Sequence, residues 1–280
     1  MDSKEFGLVA AQQLFKIENI HYGFWDNNRS ASLSNWKAAQ DRHSEFLFEV
    51  IKKALENISK PRLLDIGCGV GLTTRKLLDK GYNVDGLVPS NWMAKYAKKL
   101  INERPPIQGG NIFETTLENF KVEEKNYDLA FFSESYQYVD IDQSFEKLQT
   151  LLSPDGKVII FDFFSRDNVP GKSVMGGGHS METFYKKAHA HGFDILKDLD
   201  VTQNLSPNLR LINEILCERL LPFCNTLDLF LRHRYPKSYR LFRFLFKKRL
   251  AKLKFKYSQN RNEDNFTKHK VYRLILLQKR

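Results

Sequence analysis

Three glycines at alternate positions form the strongest chemical signal in the sequence. They stand in LLDIGCGVG at residues 63–71, where an apolar run reaches Asp65 and is followed by Gly67, Gly69 and Gly71. Glycine adopts backbone conformations that other residues rarely adopt, and it allows a ligand to lie against the main chain. In an open α/β sheet, ligands bind at the carboxyl ends of the strands. The segment therefore predicts a strand, a ligand-binding turn and a helix.

A second group of glycines, residues 176–178, directly precedes His179. Consecutive glycines favour a mobile loop, and such loops often close over active sites. Imidazole titrates near neutral pH, so it can accept a proton from a phenol, a hydroxyl or an amine. His179 is therefore the first candidate for a general base, and a solvated loop histidine is the alternative.

The cysteine pattern and the composition limit the class of protein. Of the 280 residues, 42% are hydrophobic and 28% are charged, which is typical of a globular chain. Cys68, Cys217 and Cys224 lack the spacing of metal ligands, so we expect no metal site and no disulfide scaffold. A chain without a signal-peptide layout or a long apolar run is expected in the reducing cytoplasm.

The positive charge is concentrated in one segment. The chain carries 44 basic and 33 acidic residues, a net charge of +11. Residues 232–256 hold eleven Lys and Arg and no Asp or Glu, so the rest of the chain is neutral overall. Apolar residues three and four apart within this segment predict one or two amphipathic helices. These helices present either a solvated basic face or a surface for anionic lipid, anionic substrate or nucleic acid.

The hydrophobic pattern predicts strands that alternate with helices. We expect helices over about residues 36–58 (capped by Ser34), 72–80, 90–101, 141–152, 181–191 and 206–257. We expect strands at 62–66, 82–88, from Ile107 onward, 127–132, 157–163, 193–201 and 271–277. Strand and helix in alternation over about 140 residues predict a parallel, doubly wound α/β sheet with helices on both faces.

In this context LLDIGCGVG resembles the first motif of the class I S-adenosylmethionine-dependent methyltransferases. The resemblance covers about residues 60–200 and the last strand. It implies a Rossmann-like, seven-stranded, mostly parallel sheet, doubly wound, whose last strand runs antiparallel at the edge. It also implies S-adenosyl-L-methionine as the cofactor. Asp65 would lie near the amino end of its methionine part, and residues of the turn would line it (Gly67, Cys68, Gly69 and Gly71).

Two further cofactor positions follow from the resemblance, and both depart from the common pattern. Val88 stands where many members carry an acid that binds the ribose. However, GLVPSNWMAKYA at 86–97 is similar to a subgroup of tocopherol-type, coclaurine-type and natural-product enzymes that also lack it. There Ser90 would lie near the ribose, or it is a plain helix cap. Asn111 would accept a hydrogen bond from the adenine, flanked by Ile112, or it is a turn residue.

The segment DLAFFSESYQYVD at 128–140 resembles the strand-four motif of the same subgroup. In that family the end of this strand faces the transferred methyl group. The resemblance therefore makes Glu134 and Tyr138 candidates for substrate contact or proton removal, with Ser133 beside the cofactor. The alternative is that Glu134 and Tyr138 only support the glycine turn. The N/D-P-P-Y/F motif of nucleic-acid N-methyltransferases is absent here.

HYGFWDN at 21–27 is similar to the H-Y-G-Y-W segment of these small-molecule enzymes. In the family it belongs to a lid over the cofactor, so Tyr22 and Trp25 would close the site or anchor the N-terminus. The resemblance implies an N-terminal lid and helices (1–58), a cofactor-binding core (59–202), a helical substrate cap (203–268) and a closing edge strand (269–280).

The sequence thus predicts methyl transfer to a hydroxyl, carbon or amine of a small, lipophilic or acidic molecule. Residues 232–256 are a candidate for peripheral contact with an anionic membrane, and nucleic acid is not favoured as a partner. Two alternatives stay open: an RNA methyltransferase, which the basic segment suggests, and a non-catalytic protein of the same fold, which Val88 and Asn111 suggest.

Overall fold

The computed structural model describes residues 21–26, 31–103, 110–121, 127–171, 173, 175–256 and 262–280, together with positions 5, 9, 10, 12 and 13. The helices are α1 (Trp36–Ala54), α2 (Leu72–Asp79), α3 (Asn91–Asn102), α4 (Ile141–Leu151), α5 (Met181–Ala190), α6 (Thr202–Leu205), α7 (Pro207–Asn213), α8 (Leu221–Arg234), α9 (Pro236–Lys256) and α10 (Glu263–His269). A π-helical turn, Glu214–Leu220, joins α7 to α8, and a 3₁₀ turn, Tyr136–Tyr138, follows the fourth strand.

The strands are β1 (Arg62–Ile66), β2 (Asn83–Leu87), β3 (Ile112–Phe113), β4 (Tyr127–Ser133), β5 (Leu152–Ser165), β6 (Phe193–Asp200) and β7 (Lys270–Lys279). They form one sheet in the order β3-β2-β1-β4-β5-β7-β6. The first five strands run parallel, and β7 runs antiparallel to both β5 and β6. The predicted seven-stranded, mostly parallel α/β fold is confirmed.

The last strand does not lie at the edge of the sheet, so that prediction is wrong. Strand β7 lies between β5 and β6, and its register pairs Ile275 with Ile160 on one side and Asp198 on the other. Residues 274 to 277 of β7 alternate between the apolar layers on the two faces of the sheet, which explains why all four are buried. The edges are β3 and β6.

The third strand begins later in the chain than predicted. Residue 107, where the strand was expected to start, lies outside the described residues. Strand β3 pairs Ile112 with Gly86 and Phe113 with Leu87 of β2. The expected helix from 36 to 58 also ends earlier, at Ala54, and Ser34 lies in a 3₁₀ turn before it instead of capping it.

Two apolar layers cover the sheet, one on each face. In β4, Leu129 and Phe131 belong to the layer of α1, α2 and α3, whereas Ala130 and Phe132 belong to the layer of α4 and α5. This alternation follows from the two-residue period of side chains along a strand. Because these apolar layers cover both faces of the sheet, polar side chains gather at the edge formed by the carboxyl ends of β1 to β5.

The segment His21–Asp26 is held between α1 and the insert that follows β6. The N–H of Phe24 donates to Ala39 O at 2.8 Å, and the N–H of Trp25 donates to Asn204 O at 2.9 Å. The side chain of Asn208 satisfies both polar groups of Gly23, accepting from its N–H at 2.8 Å and donating to its carbonyl at 2.6 Å. The aromatic N-terminal motif is therefore fixed to the domain by its backbone.

The insert between β6 and β7 is helical, as predicted, but its two halves differ. In the first half, Leu205, Leu209 and Leu211 are buried. In the second half, α8 and α9 bury no side chain that the structure describes. Helix α10 lies beyond the helix expected over 206–257 but almost wholly within the predicted helical cap; its Phe266 is fully buried beside Phe163 of β5, with ring centroids 5.9 Å apart.

Gly23 offers a test of how tightly the N-terminal segment packs. A Cβ atom at Gly23 would lie 2.6 Å from Ala39 Cβ and 3.2 Å from the Ala39 carbonyl carbon, so Gly23→Ala forces α1 and the segment apart. We expect a loss of about 1–3 kcal/mol of unfolding free energy in urea titrations, as for other overpacked sites.

Gly176→Ala is the matched control, because a Cβ at that position meets no atom within 4 Å and the backbone is not left-handed. It should leave the unfolding free energy within about 0.5 kcal/mol of the native protein. Equal stability of the two variants would contradict this packing.

Candidate active site

The glycine turn lies where the sheet changes direction. From β1 the chain proceeds to β2 and β3 on one side, and β4 lies on the other side of β1. Ligands of open α/β sheets bind at this switch point. Gly67, Gly69 and Gly71 all have positive φ, of 86°, 57° and 82°. The N–H groups of Gly67 and Cys68 both donate to Leu87 O, at 2.9 and 3.0 Å, so the turn lies against the end of β2.

The three glycines differ in what surrounds them. A Cβ at Gly67 would collide with Ser135, and one at Gly71 would lie 2.8 Å from Ala97 Cβ. Both residues are therefore needed for packing. At Gly69 a Cβ would meet no atom within 4 Å. The middle glycine, which is half-buried, thus borders open space, which is the arrangement that a ligand cradle requires.

Asp65 and Cys68 lie behind the turn, with their side chains in the interior. Asp65 is buried and accepts a hydrogen bond from Thr74 Oγ1 of α2 at 2.7 Å. Burial raises the pKa of its carboxyl to about 7. Cys68 is buried in the apolar layer near Ile112, and burial raises the pKa of its thiol. Cys68 can therefore offer a ligand its backbone, not a thiolate.

The register of β3 changes the position of Asn111. It precedes β3 instead of ending it, and both its N–H and its Nδ2 donate to Asp85 Oδ1, at 2.9 and 3.2 Å. Asp85 also accepts from Arg62 and from the Tyr127 hydroxyl. This network lies below the carboxyl ends of the strands, and the contact of Asn111 with adenine stays a prediction.

Glu114 is the residue that follows β3, and it was not among the candidate residues predicted from the sequence. The N–H of Val88 donates to Phe113 O at 3.0 Å, which brings the ends of β2 and β3 together. Glu114 is exposed, and its carboxylate accepts from Asn91 Nδ2 at 3.0 and 2.8 Å. Val88 itself is buried in the apolar layer. An exposed carboxylate thus lies at the end of the strand next to β2, where residue 88 itself carries no acid.

Ser90 caps α3, with Met93 N donating to its Oγ at 3.4 Å. The hydroxyl is therefore engaged in the helix cap.

Glu134 joins three distant parts of the chain. It follows β4 in a left-handed conformation, with φ 58°. Its Oε1 accepts from the N–H of Tyr22 at 2.9 Å and from the hydroxyl of Tyr272, on β7, at 2.7 Å. Ser133 is half-buried at the end of β4, and the Ser135 hydroxyl donates to Ile66 O of β1. The end of β4 is thereby tied to both the N-terminal segment and the glycine turn.

A pair of buried histidines packs against this carboxyl. The rings of His21 and His43 stack with centroids 4.4 Å apart, and His43 stacks on Phe161 at 4.2 Å. Desolvation lowers the pKa of both, that of His21 to about 4, so both are neutral at physiological pH. His43 Nε2 lies 3.9 Å from Glu134 Oε1 and is buried without a hydrogen-bond partner. The sequence held no signal that singled out His43.

The turn that carries Tyr138 is held by a buried acid. Asp162 of β5 is fully buried, and its carboxyl accepts from the N–H of Gln137 at 3.1 Å and of Phe163 at 2.8 Å. Burial raises its pKa to about 7. In the sequence, Asp162 is the lone acid inside the apolar run VIIFDFF, and this pattern could have identified it as a candidate residue. Tyr138 is 73% exposed on this turn.

His179 is fixed on the other side of β4 and β5. Its Nε2 lies 3.1 Å from Tyr136 O, and its ring meets the edge of the Tyr136 ring at 5.4 Å. Tyr136 belongs to the apolar layer opposite that of Phe161 and Tyr272. A hydrogen bond to a carbonyl requires a proton on Nε2, which leaves Nδ1 to accept one.

The glycine loop before His179 is held by a buried lysine. Lys270 Nζ donates to Gly177 O and, at 2.8 Å, to Ser165 Oγ, and Ser165 Oγ donates to Gly178 O at 2.8 Å. Lys270 is buried, and desolvation lowers its pKa. The loop therefore has fixed contacts at Gly177 and Gly178, which the sequence did not reveal.

The structure thus brings the glycine turn, Tyr22, Ser133 and Glu134 to the carboxyl ends of β1 and β4. Glu114 and Ser90 lie at the ends of β3 and β2. Asn111 and Ile112 lie lower on the sheet, and His179 packs with the opposite layer.

Comparison with known proteins agrees with this arrangement. Residues 64–160, which run from β1 into β5, match the family model of the methyltransferase domain. This segment of the core is therefore similar to the methyltransferase domain. Class I methyltransferases use S-adenosyl-L-methionine as methyl donor, in accord with the predicted cofactor.

Two curated relatives and one solved structure illustrate the likeness. The chain is 29% identical over 157 residues to the ubiquinone biosynthesis O-methyltransferase of Rickettsia typhi, covering 54% of this chain and 60% of the relative. It is 26% identical over 168 residues to the probable chloroplastic tocopherol O-methyltransferase of Oryza sativa subsp. japonica, and this match covers 56% of this chain and 44% of the relative. The matches thus span less than two thirds of each relative.

The fold extends over nearly the whole chain in a solved structure. The geranyl diphosphate C-methyltransferase of Streptomyces coelicolor A3(2) aligns with a TM-score of 0.71, and the alignment covers 97% of this chain and 92% of that one. Sequence identity is 14%, so this likeness concerns the fold.

Glu134 makes stability depend on pH. Burial raises the pKa of its carboxyl to about 8 in the folded protein. Between the ordinary pKa of a glutamate and pH 8, the folded protein therefore keeps a proton that the unfolded chain has released. Unfolding free energy therefore falls as pH rises toward 8. Glu134→Gln keeps an acceptor for Tyr22 and Tyr272 without this proton. Its melting temperature should decline less between pH 6 and 9 than that of the native protein.

Glu49→Gln, an exposed change on α1, is the control and should follow the native curve. Asp65 and Asp162 also have raised pKa values. Both residues are present in all three proteins, so their contribution to the pH dependence of stability is common to the three curves. Parallel curves for Glu134→Gln and the native protein would show that Glu134 does not carry the dependence.

Proposed function

We propose that the protein transfers a methyl group from S-adenosyl-L-methionine to an oxygen, carbon or nitrogen of a small lipophilic molecule. The observation that carries the proposal is the open space at Gly69, beside the end of β4 where Glu134 binds Tyr22. A ligand lying along the glycine turn there would be adjacent to a second site between β4 and the N-terminal segment.

The residues present fit the cofactor. Gly69 supplies a cradle that a side chain would fill. Burial raises the pKa of Asp65 although Thr74 donates a hydrogen bond to it, and a cationic ligand nearby would stabilise the charged form of this carboxyl. Glu114 offers an exposed acceptor at the end of β3 for ribose or adenine donors. When bound, S-adenosylmethionine supplies a methyl group already activated on a sulfonium, so the protein must chiefly orient the acceptor.

Glu134 acts in this proposal as a positioning residue. Its hydrogen bonds hold Tyr22 and the N-terminal segment at the end of β4, which fixes geometry and excludes water from the acceptor. Tyr138 contacts the acceptor from the exposed turn. His179, the base predicted from the sequence, packs against Tyr136 in the opposite layer, so this proposal assigns no proton transfer to it.

Support for a lipophilic acceptor comes from the relatives, whose names place them with ubiquinone and tocopherol. The solved structure of the same fold is that of an enzyme named for geranyl diphosphate, an isoprenoid. We therefore propose phenols and related molecules with apolar tails as the acceptor class.

Gly69→Arg tests the cradle, because its side chain would fill the open space at the turn. Calorimetric titration with S-adenosylhomocysteine should give micromolar affinity for the native protein and no measurable binding for the variant. The native protein should then methylate phenols of increasing tail length with rising kcat/KM, and Gly69→Arg should not.

Gly81→Arg is the matched control. Gly81 also has positive φ, 85°, and open space around a Cβ, but it follows α2, whereas Gly69 precedes that helix. This variant shares the backbone strain, about 1–2 kcal/mol, and should bind normally. Absence of binding to a folded native protein would refute the cofactor assignment, and turnover independent of tail length would refute the acceptor class.

The ends of β2 and β3 give a second test. Glu114→Ala should weaken S-adenosylhomocysteine binding about ten-fold, the cost of one lost charge-assisted hydrogen bond. Asn111→Ala should change affinity by less than about two-fold, because the side chain of Asn111 bonds to Asp85. The reverse ranking in calorimetry would assign the cofactor contact to Asn111 and reject Glu114.

A further inference from the structure

Helices α8 and α9 form a helical hairpin, residues 221–256, that projects apolar side chains into solvent. Ten of the fourteen large hydrophobic side chains recorded as exposed lie at 220–245. On α8, Phe223, Leu227 and Phe230 are four and three residues apart and share one face. Contiguous exposed apolar surface of this kind marks an interaction site.

The apolar face of α9 is bounded by cations. Leu241 and Phe244 are three residues apart, and Phe244 is 82% exposed. Lys237 precedes Leu241 by four residues and Lys248 follows Phe244 by four, so all four side chains share a face of the helix. Long cationic side chains in this position can keep their charge in water while the apolar residues between them are buried.

The one acid of the hairpin is engaged within it. Residues 221–256 contain eleven Lys and Arg and a single carboxylate, that of Asp228. Asp228 accepts from the Tyr239 hydroxyl at 2.9 Å, and Arg243 NH1 lies 4.0 Å away. This contact joins α8 to α9, so the hairpin carries its apolar residues on a fixed, strongly cationic support.

We propose that the α8–α9 hairpin binds the surface of a lipid bilayer that contains anionic phospholipids. Such a surface meets both features at once, since acyl chains take up Phe and Leu side chains and phosphates attract Lys and Arg. A second copy would bring two sets of eleven cations together. A nucleic acid would neutralise the cations and leave the apolar face in water.

The hairpin lies on the bilayer and does not cross it. Within the described residues, no helix is both long and apolar enough to span a membrane. Helices of 14 and 21 residues, or about 21 and 31 Å, would lie along the interface with their apolar faces inserted. This inference is independent of the proposed methyl transfer.

Vesicle sedimentation of the full chain tests the proposal. The native protein should bind vesicles of phosphatidylcholine with 30 mol% phosphatidylglycerol at least about ten-fold more strongly than phosphatidylcholine vesicles, and the difference should shrink at 0.5 M salt. Two variants separate the contributions. L241E/F244E should lower binding to the anionic vesicles at least about ten-fold, and K237E/K248E should remove the preference for them.

Leu196→Glu is the matched control, because Leu196 is a half-exposed leucine on β6, outside the hairpin. It should bind like the native protein, and circular dichroism should show all variants folded. Equal binding of L241E/F244E and the native protein would overturn the proposal. So would a stable oligomer, in analytical ultracentrifugation, that dissociates with L241E/F244E while vesicles stay unbound, or tight binding to RNA without binding to vesicles.

Discussion

The carboxyl of Glu134 connects parts of the chain that are more than a hundred residues apart. It accepts hydrogen bonds from Tyr22 and from Tyr272, which fixes the N-terminal segment to the end of β4 and to β7. The next residue, Ser135, packs over Gly67 and so sets the position of the glycine turn. Burial raises the pKa of this carboxyl, because the charged form loses its hydration in the interior. The protein therefore places a polar group that is unfavourable to bury at the point where these elements meet.

The candidate site depends equally on strand register. A parallel sheet aligns the carboxyl ends of its strands, but which residue stands at each end depends on the pairing. The short pairing of Phe113 with Leu87 places Glu114 at the end of β3 and moves Asn111 to a structural network with Asp85. The carboxylate nearest to the end of β2 is therefore that of Glu114, on the neighbouring strand.

The two halves of the insert before β7 obey different physical constraints. Asn204 and Asn208 bind the backbone of the N-terminal segment, and the leucines around them are buried. In α8 and α9 similar apolar residues remain in water, where they carry a free-energy cost that a core would remove. A chain that retains such residues beside eleven cations presents a surface suited to an amphipathic partner.

The sequence by itself determined the α/β class, the order of most strands and helices and the glycine turn, because these follow from local periodicity and from backbone freedom at glycine. It also located the basic helices. Tertiary structure decided that β7 lies inside the sheet, that Glu114 and not Asn111 follows β3, and that His43 and Lys270 are buried. These features depend on pairing and packing between residues far apart in the chain, for which a local pattern carries no signal.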